Sequence, residues 1–321
     1  MKKTFLKLSL ILGIPLTFLS SLWLKLVMRS KQWGRTEDKI FSIIGVLPIL
    51  DHYYQPLVNP KRHLKKSLRD DRVLPGLELN VQEQLNILDK FDFNHELLEF
   101  PLNNDNETRE KMFFYNNGSY CSGDAEYLYN ILRHFKPQKI IEIGCGYSTL
   151  MALNAVDKNK SEDKNYYCEH ICIEPYEMPW LEDKNVKVKR NKVEDIDVTF
   201  FEQLEANDIL FIDSSHIIRP QGDVLFEYLE ILPVLKRGVI VHIHDIFTPR
   251  DYLDDWIYNK HLLWNEQYLL EAFLTFNDKF KIIGATNYLS HNYHDEFSAK
   301  CPVFSKQPGR EPGAFWIRKI Q

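Results

Sequence analysis

KIIEIGCGYST, residues 139–149, runs from an apolar strand straight into a glycine-punctuated turn. Ile140, Ile141 and Ile143 surround one carboxylate, Glu142, so the strand reads as buried. Gly144 and Gly146 carry no Cβ, which lets the backbone turn tightly and approach a ligand. A helix starting near Ser148 puts the turn at the carboxyl end of the strand, where open α/β sheets bind their ligands. The G-x-G-x-x-G dinucleotide fingerprint needs a third glycine at 149, and Thr149 stands there instead.

Outward from this stretch, helix and strand patterns alternate. DAEYLYNILRHF (124–135) has helical apolar spacing and is stopped by Lys136-Pro137. Further strands are expected at 171–173, 186–188, 208–212 and 238–242, with helices at 200–204, 224–235 and 264–276 and late strands at 280–283 and 314–318. Strands recurring with intervening helices predict a parallel, doubly wound α/β sheet. Acids stand at successive strand ends: Glu174 after the second, Glu194 after the third, Asp213 after the fourth. An Asp emerging from four apolar residues is a costly place for a charge unless it is used. The fifth strand ends in His242-Ile-His244-Asp245, and His216 follows Asp213 closely. His216 or His244 is a candidate general base, because imidazole titrates near neutral pH.

From about residue 119 to 321 the chain resembles a class I S-adenosylmethionine (SAM)-dependent methyltransferase, in particular the bacterial group labelled methyltransferase domain 24. IIEIGCGYST, CIEPY, DILFIDSSH and GVIVHIHDIF carry the resemblance, with WNEQYLL and GAFWIRK less widely shared. It implies a Rossmann-like sheet of seven strands with the last antiparallel. It implies that Glu142, Gly144 and Gly146 line the methionine end of SAM, that Glu174 holds the ribose hydroxyls and that Glu194 lies near the adenine. SAM carries an ammonium and a sulfonium rather than a pyrophosphate, so acidic groups suit it. Metal-dependent O-methyltransferases of this fold hold a divalent cation, Mg or Mn, after strands four and five; here Asp213, His244 and Asp245 occupy those places. His244 offers nitrogen where magnesium prefers oxygen, which points toward a manganese-type ion or none. The expected catalytic set is Asp213, His216 and His244, acting on a hydroxyl of a small-molecule, sugar or glycan acceptor. Two other classes share parts of this pattern: a non-catalytic membrane-tethered SAM-binding module and a nicotinamide-dependent oxidoreductase. Thr149 counts against the latter, and no Tyr-x-x-x-Lys pair stands where a short-chain dehydrogenase needs one.

The 321 residues are 44% hydrophobic and 26% charged, with a net charge of −5. Residues 1–36 hold seven basic side chains and no acid, so the remainder is strongly acidic and unsuited to nucleic acid. Residues 8–24 carry no charge and read, with basic flanks, as a retained transmembrane signal anchor. The expected organisation is therefore an anchor at 1–31, a juxtamembrane cover at 32–110 and a methyltransferase domain at 111–321. The slight excess of basic residues after the apolar run predicts a single-pass protein with a cytoplasmic catalytic domain. Five scattered cysteines suggest neither a disulfide framework nor a zinc knuckle, and are expected to be reduced and mostly buried.

Overall fold

The computed structural model describes residues 10–29, 36–104, 112–176 and 178–321. The chain divides into two compact units, residues 1–66 with 257–263, and residues 67–256 with 264–321. The first unit contains the helices Ile14–Arg29, Thr36–Ile44 and Pro60–His63. Among the described residues no helix is long and apolar enough to cross a membrane. The helix that takes up much of the apolar run has 16 residues, about 24 Å at the usual rise, against about 30 Å of hydrocarbon. Pro15 lies in its first turn, within the apolar run, and Lys25 and Arg29 fall in its last two turns. The expected anchor helix, the membrane as partner and the single-pass placement with a cytoplasmic domain are corrected accordingly. Residues 1–9, 30 and 31 of the expected anchor lie outside the described residues.

The second unit is built on one sheet. Its strands are β1 (Lys139–Ile143), β2 (Glu169–Ile173), β3 (Lys187–Lys189), β4 (Ile209–Ile212), β5 (Ile240–Ile243), β6 (Phe280–Ala285) and β7 (Phe315–Lys319). They lie in the order β3-β2-β1-β4-β5-β7-β6. β1 to β5 are parallel, and β7 runs antiparallel between β5 and β6. The winding reverses between β1 and β4, which opens a crevice at their carboxyl ends.

Both faces of the sheet are covered, so β4 and β5 are buried along their whole length. Ile140, Ile209, Phe211 and Ile240 pack on one face against the helices Asp124–Phe135 and Tyr147–Glu162. Ile141, Ile143, Leu210, Ile212, Val241 and Ile243 face the other way, toward Val224, Tyr228 and Leu270. The register aligns Cys172, Glu142, Phe211, His242 and Trp316 in one row across the sheet. His242 is buried in that row, its ring 4.0 Å from Phe211 and 4.5 Å from Trp316.

Residues 67–104 are part of the same core. Ile87, Leu88, Phe91 and Leu97 pack with Tyr127 and Phe297, and Gln84 accepts the Ala285 N–H at 2.7 Å, at the end of the edge strand β6. Glu96 receives Arg133 Nε at 2.9 Å and Nη2 at 3.0 Å, both residues being buried. Removing one partner of a buried ion pair leaves an uncompensated charge. Glu96→Ala should therefore lower the unfolding free energy by about 2–4 kcal/mol in urea titrations, the lower end reflecting the remaining Glu162–Arg133 contact. A loss within about 0.5 kcal/mol would mean this pair does not tie the segment down.

Candidate active site

The β1 turn is fixed by its neighbours on both sides. Gly144 N–H donates to the Ile173 carbonyl at 3.1 Å, and Asp213 N–H donates to the Ile143 carbonyl at 2.9 Å. Gly144 has φ +76°, and a Cβ there would sit 1.9 Å from the Asp213 carbonyl oxygen, so only glycine fits. Gly146 serves a different purpose. Its N–H donates to Thr149 Oγ1 at 3.0 Å as the helix Tyr147–Glu162 begins, and a Cβ there would meet only Met178 Cε at 3.9 Å. Open space thus lies above the turn.

A crevice of about 640 Å³ lies over these strand ends, with Gly144, Glu174, Glu194, Asp213 and Asp223 in its lining and Lys192 and Arg219 beside them. Glu174 accepts the Cys145 N–H at 3.3 Å and the Tyr176 N–H at 3.1 Å, which fixes its carboxylate beside the turn. The acidic lining and the open turn fit a cationic nucleoside better than an anion.

Glu142 is not in that lining. It is 1% exposed and faces the interior, where Ser148 Oγ donates to Oε1 at 2.6 Å and His170 Nε2 lies 2.7 Å from Oε2. Burial pushes His170 down, but Cys172 and the Glu142 carboxylate outweigh it and lift the imidazole to about 10.

The structure brings Asp213 and Asp245 together with His216. Their ligand atoms all lie within 4.8 Å of one another. His216 Nε2 is 3.2 Å from Asp213 Oδ1 and 3.6 Å from Asp245 Oδ2. Ligand atoms about 2.1 Å from a shared ion stand about 3.0–4.2 Å apart, so these separations fit a divalent cation. His216 and Asp245 both have positive φ, 60° and 57°, and such backbone persists where the surroundings over-determine it. Those surroundings are visible. The His216 carbonyl accepts the N–H groups of Asn265 and Glu266, and Trp264 packs on the imidazole at 4.4 Å. Glu266, fully buried, places Oε2 2.7 Å from His216 Nδ1, while Tyr228 donates to its other oxygen at 3.0 Å. Burial opposes charge on His216, but Asp213 and Glu266 raise its affinity for a proton well above the ordinary value.

His244 stands outside that group. Its Nε2 lies 3.5 Å from Asp245 Oδ1, its ring is 5.0 Å from Tyr120, and its Nδ1 has no hydrogen-bond partner among the described residues. It shares a sheet face with His242, as strand alternation requires, while Asp245 turns away after the end of β5.

Sequence reasoning missed Glu266 and His170. Glu266, Leu270 and Leu274 form the buried stripe of one helix, so an acid on an apolar stripe was the available signal. His170 and Cys172 share a sheet face with Glu142, a signal readable only once the pairing of β1 and β2 is known.

A seven-stranded sheet of this order, with an acidic crevice at the reversal point, defines the class I methyltransferase architecture. Residues 141–246 match the family model described as a methyltransferase domain. A protein of Archaeoglobus fulgidus, itself uncharacterized, is 30% identical over 207 residues, covering 60% of this chain and 86% of its own length. The O-methyltransferase TomG from Streptomyces achromogenes, in complex with SAM, aligns at 12% identity over 74% of this chain and 90% of its own, with a TM-score of 0.37. An O-methyltransferase from Bacillus cereus in complex with SAH gives 11% identity, 74% and 91% coverage and a TM-score of 0.33. The chain belongs to the class I SAM-dependent methyltransferases.

The contacts of His170 with Cys172 and Glu142 predict a pH-dependent folding stability. His170 binds its proton more tightly folded than unfolded, so its stabilising contribution is complete below about 6.5 and is lost as pH rises through about 10. His170→Gln should therefore flatten the decline in unfolding free energy between those pH values, measured by urea titration. An unchanged slope would show that His170 does not carry the effect.

Proposed function

We propose that the protein transfers the SAM methyl group to a hydroxyl oxygen of a small-molecule, sugar or glycan acceptor at the carboxyl ends of β4 and β5. The single observation that carries this reading is the convergence of Asp213, His216 and Asp245 beside the crevice, with Glu266 behind His216. SAM, when bound, supplies a methyl group on a sulfonium that is its own leaving group. The chain's contribution is positioning and electrostatics. Gly144, Gly146, Glu174 and Glu194 form the cofactor side: the first two give the backbone clearance, Glu174 meets the ribose hydroxyls, and Glu194 borders the adenine. Glu142 acts from behind, holding the first turn of the helix Tyr147–Glu162 through Ser148.

Asp213, His216 and Asp245 form the acceptor side. Two carboxylates and one imidazole suit a manganese-type ion better than magnesium, which prefers oxygen throughout. A bound divalent cation would lower the acceptor hydroxyl's proton affinity and hold its oxygen in line. Glu266 on Nδ1 fixes the ring so that Nε2 faces both aspartates, the usual carboxylate–histidine–metal arrangement. His244, beside Asp245 with its Nδ1 unpartnered among the described residues, is the reserve for taking the acceptor's proton.

Calorimetry on the full chain tests both sides. SAM and S-adenosylhomocysteine should bind and NAD should not. Glu174→Ala should weaken SAM roughly 10- to 100-fold, as expected for losing charge-assisted hydrogen bonds. NAD binding in place of SAM would point to an oxidoreductase, and SAM binding without turnover on any acceptor to a non-catalytic module. Titration with Mn²⁺ tests the acceptor side separately. Glu266→Gln should weaken Mn²⁺ by about 10- to 100-fold while leaving SAM affinity within threefold. If the wild-type protein fails to take up Mn²⁺, the metal assignment is lost and the acceptor would be positioned by side chains alone.

A further inference from the structure

Cys145 is the middle residue of the Gly-Cys-Gly turn, and Cys172 lies in β2 directly opposite Glu142. Their sulfur atoms and a Glu142 carboxylate oxygen all lie within 4.8 Å of one another. Both cysteines are free and buried, Cys172 completely and Cys145 to 8% exposure at the edge of the turn. Leu181 packs against them, with Met178 and Trp180 alongside. We propose that Cys145 and Cys172 are a site of reversible disulfide formation, driven by a peroxide, that switches the cofactor turn between a SAM-binding and a non-binding form. This rests on the reading that SAM occupies the crevice above the turn.

The chemistry needs a thiolate and a resolving thiol. Cys172 is prepared for the first role: the neighbouring Cys145 thiol and the His170 imidazolium beside it bring it down to about 7. Cys145, pushed up by burial, stays a thiol. The Cys172 thiolate attacks one peroxide oxygen, the O–O bond breaks, and hydroxide leaves to take up a proton as water. Cys145 then attacks the sulfenic sulfur, the S–O bond breaks, and the sulfenic hydroxyl leaves as a second water by taking up the Cys145 proton. Two thiols and one hydrogen peroxide give one disulfide and two waters, so atoms and electrons balance.

The structural consequence follows from what surrounds the turn. A disulfide needs the sulfurs about 2.05 Å apart, so Cys145 is drawn toward β2. Gly144 cannot follow freely, because the Asp213 carbonyl occupies the space beside it. The displacement therefore passes to Gly146, where the space is open, and to the start of the following helix. The Cys145 N–H contact to Glu174 is disturbed at the same time. Both changes reshape the floor and one wall of the crevice.

The test uses the full chain, reduced and then treated with one equivalent of hydrogen peroxide. Peptide mass mapping after alkylation should recover a Cys145–Cys172 linkage, released by dithiothreitol. SAM affinity by calorimetry should fall at least about tenfold on oxidation and return on reduction. By reciprocity, saturating SAM should make the pair harder to oxidise by the same factor, about 30 mV for a two-electron couple. Cys172→Ala should bind SAM as the reduced wild type does and be insensitive to peroxide. Failure of the reduced wild type to bind SAM overturns the functional reading itself. Absence of the linkage, or its formation with SAM affinity within threefold of the reduced protein, overturns the thiol proposal, and neither result depends on the variant folding.

Discussion

One steric contact organises the second unit: the β1 turn lies against the Asp213 carbonyl with no room for a side chain at Gly144. Two hydrogen bonds hold it there, Gly144 to Ile173 and Asp213 to Ile143. Because β1 is the strand from which the winding reverses, this contact sets three strand ends relative to one another. The turn that opens the crevice and the aspartate that opens the acceptor side are thereby fixed as neighbours. Any residue larger than glycine would push the β1 and β4 turns apart and separate the two halves of the site.

Around that contact the interior holds several carboxylates, each with a defined partner. Glu142 has His170 and Ser148, Glu266 has His216 and Tyr228, Glu96 has Arg133 and Tyr129. Glu126 accepts three backbone N–H groups, from Gly123, Val303 and Phe304, and burial still lifts it to about 7. Buried charge is tolerated only with such compensation. The partners come from distant parts of the chain, so these pairs also fix tertiary geometry. Glu266 does this most directly, since it determines which nitrogen of His216 faces Asp213 and Asp245.

The strands were legible because strands buried on both faces leave runs such as ILFI and IVHI, and the acids after them were legible because charge stands out against such runs. What each acid touches was not legible. Glu142 reads as a ligand group when β1 is taken alone, and only the pairing with β2 sets His170 against it. His244 sits nearer Asp245 in sequence than His216 does, yet a left-handed residue at 216 and a carboxylate from position 266 bring His216 to the aspartates. The apolar run at 8–24 reads as a span by composition, whereas the helix Ile14–Arg29 carries Pro15 in its first turn and Lys25 and Arg29 toward its end. Residues 67–104 gave only a weak helical pattern, because their place in the core depends on Tyr127 and Phe297.

The pairing of Glu142 changes the electrostatics of the crevice. A carboxylate matched by an imidazolium at 2.7 Å presents little net charge to a ligand beyond the turn. Attraction for a sulfonium must then come from the strand-end acids that line the crevice, Glu174, Glu194 and Asp213, partly offset by Lys192 and Arg219. The motif acid acts mechanically instead: through Ser148 it fixes the first turn of the following helix, and with it the opening at Gly146. Division of labour follows from position. A charge at the strand tip meets the ligand directly, whereas the same charge one turn deeper meets only protein and must be neutralised there. The thiols of Cys145 and Cys172 sit at that inner layer too, behind the turn rather than at the ligand.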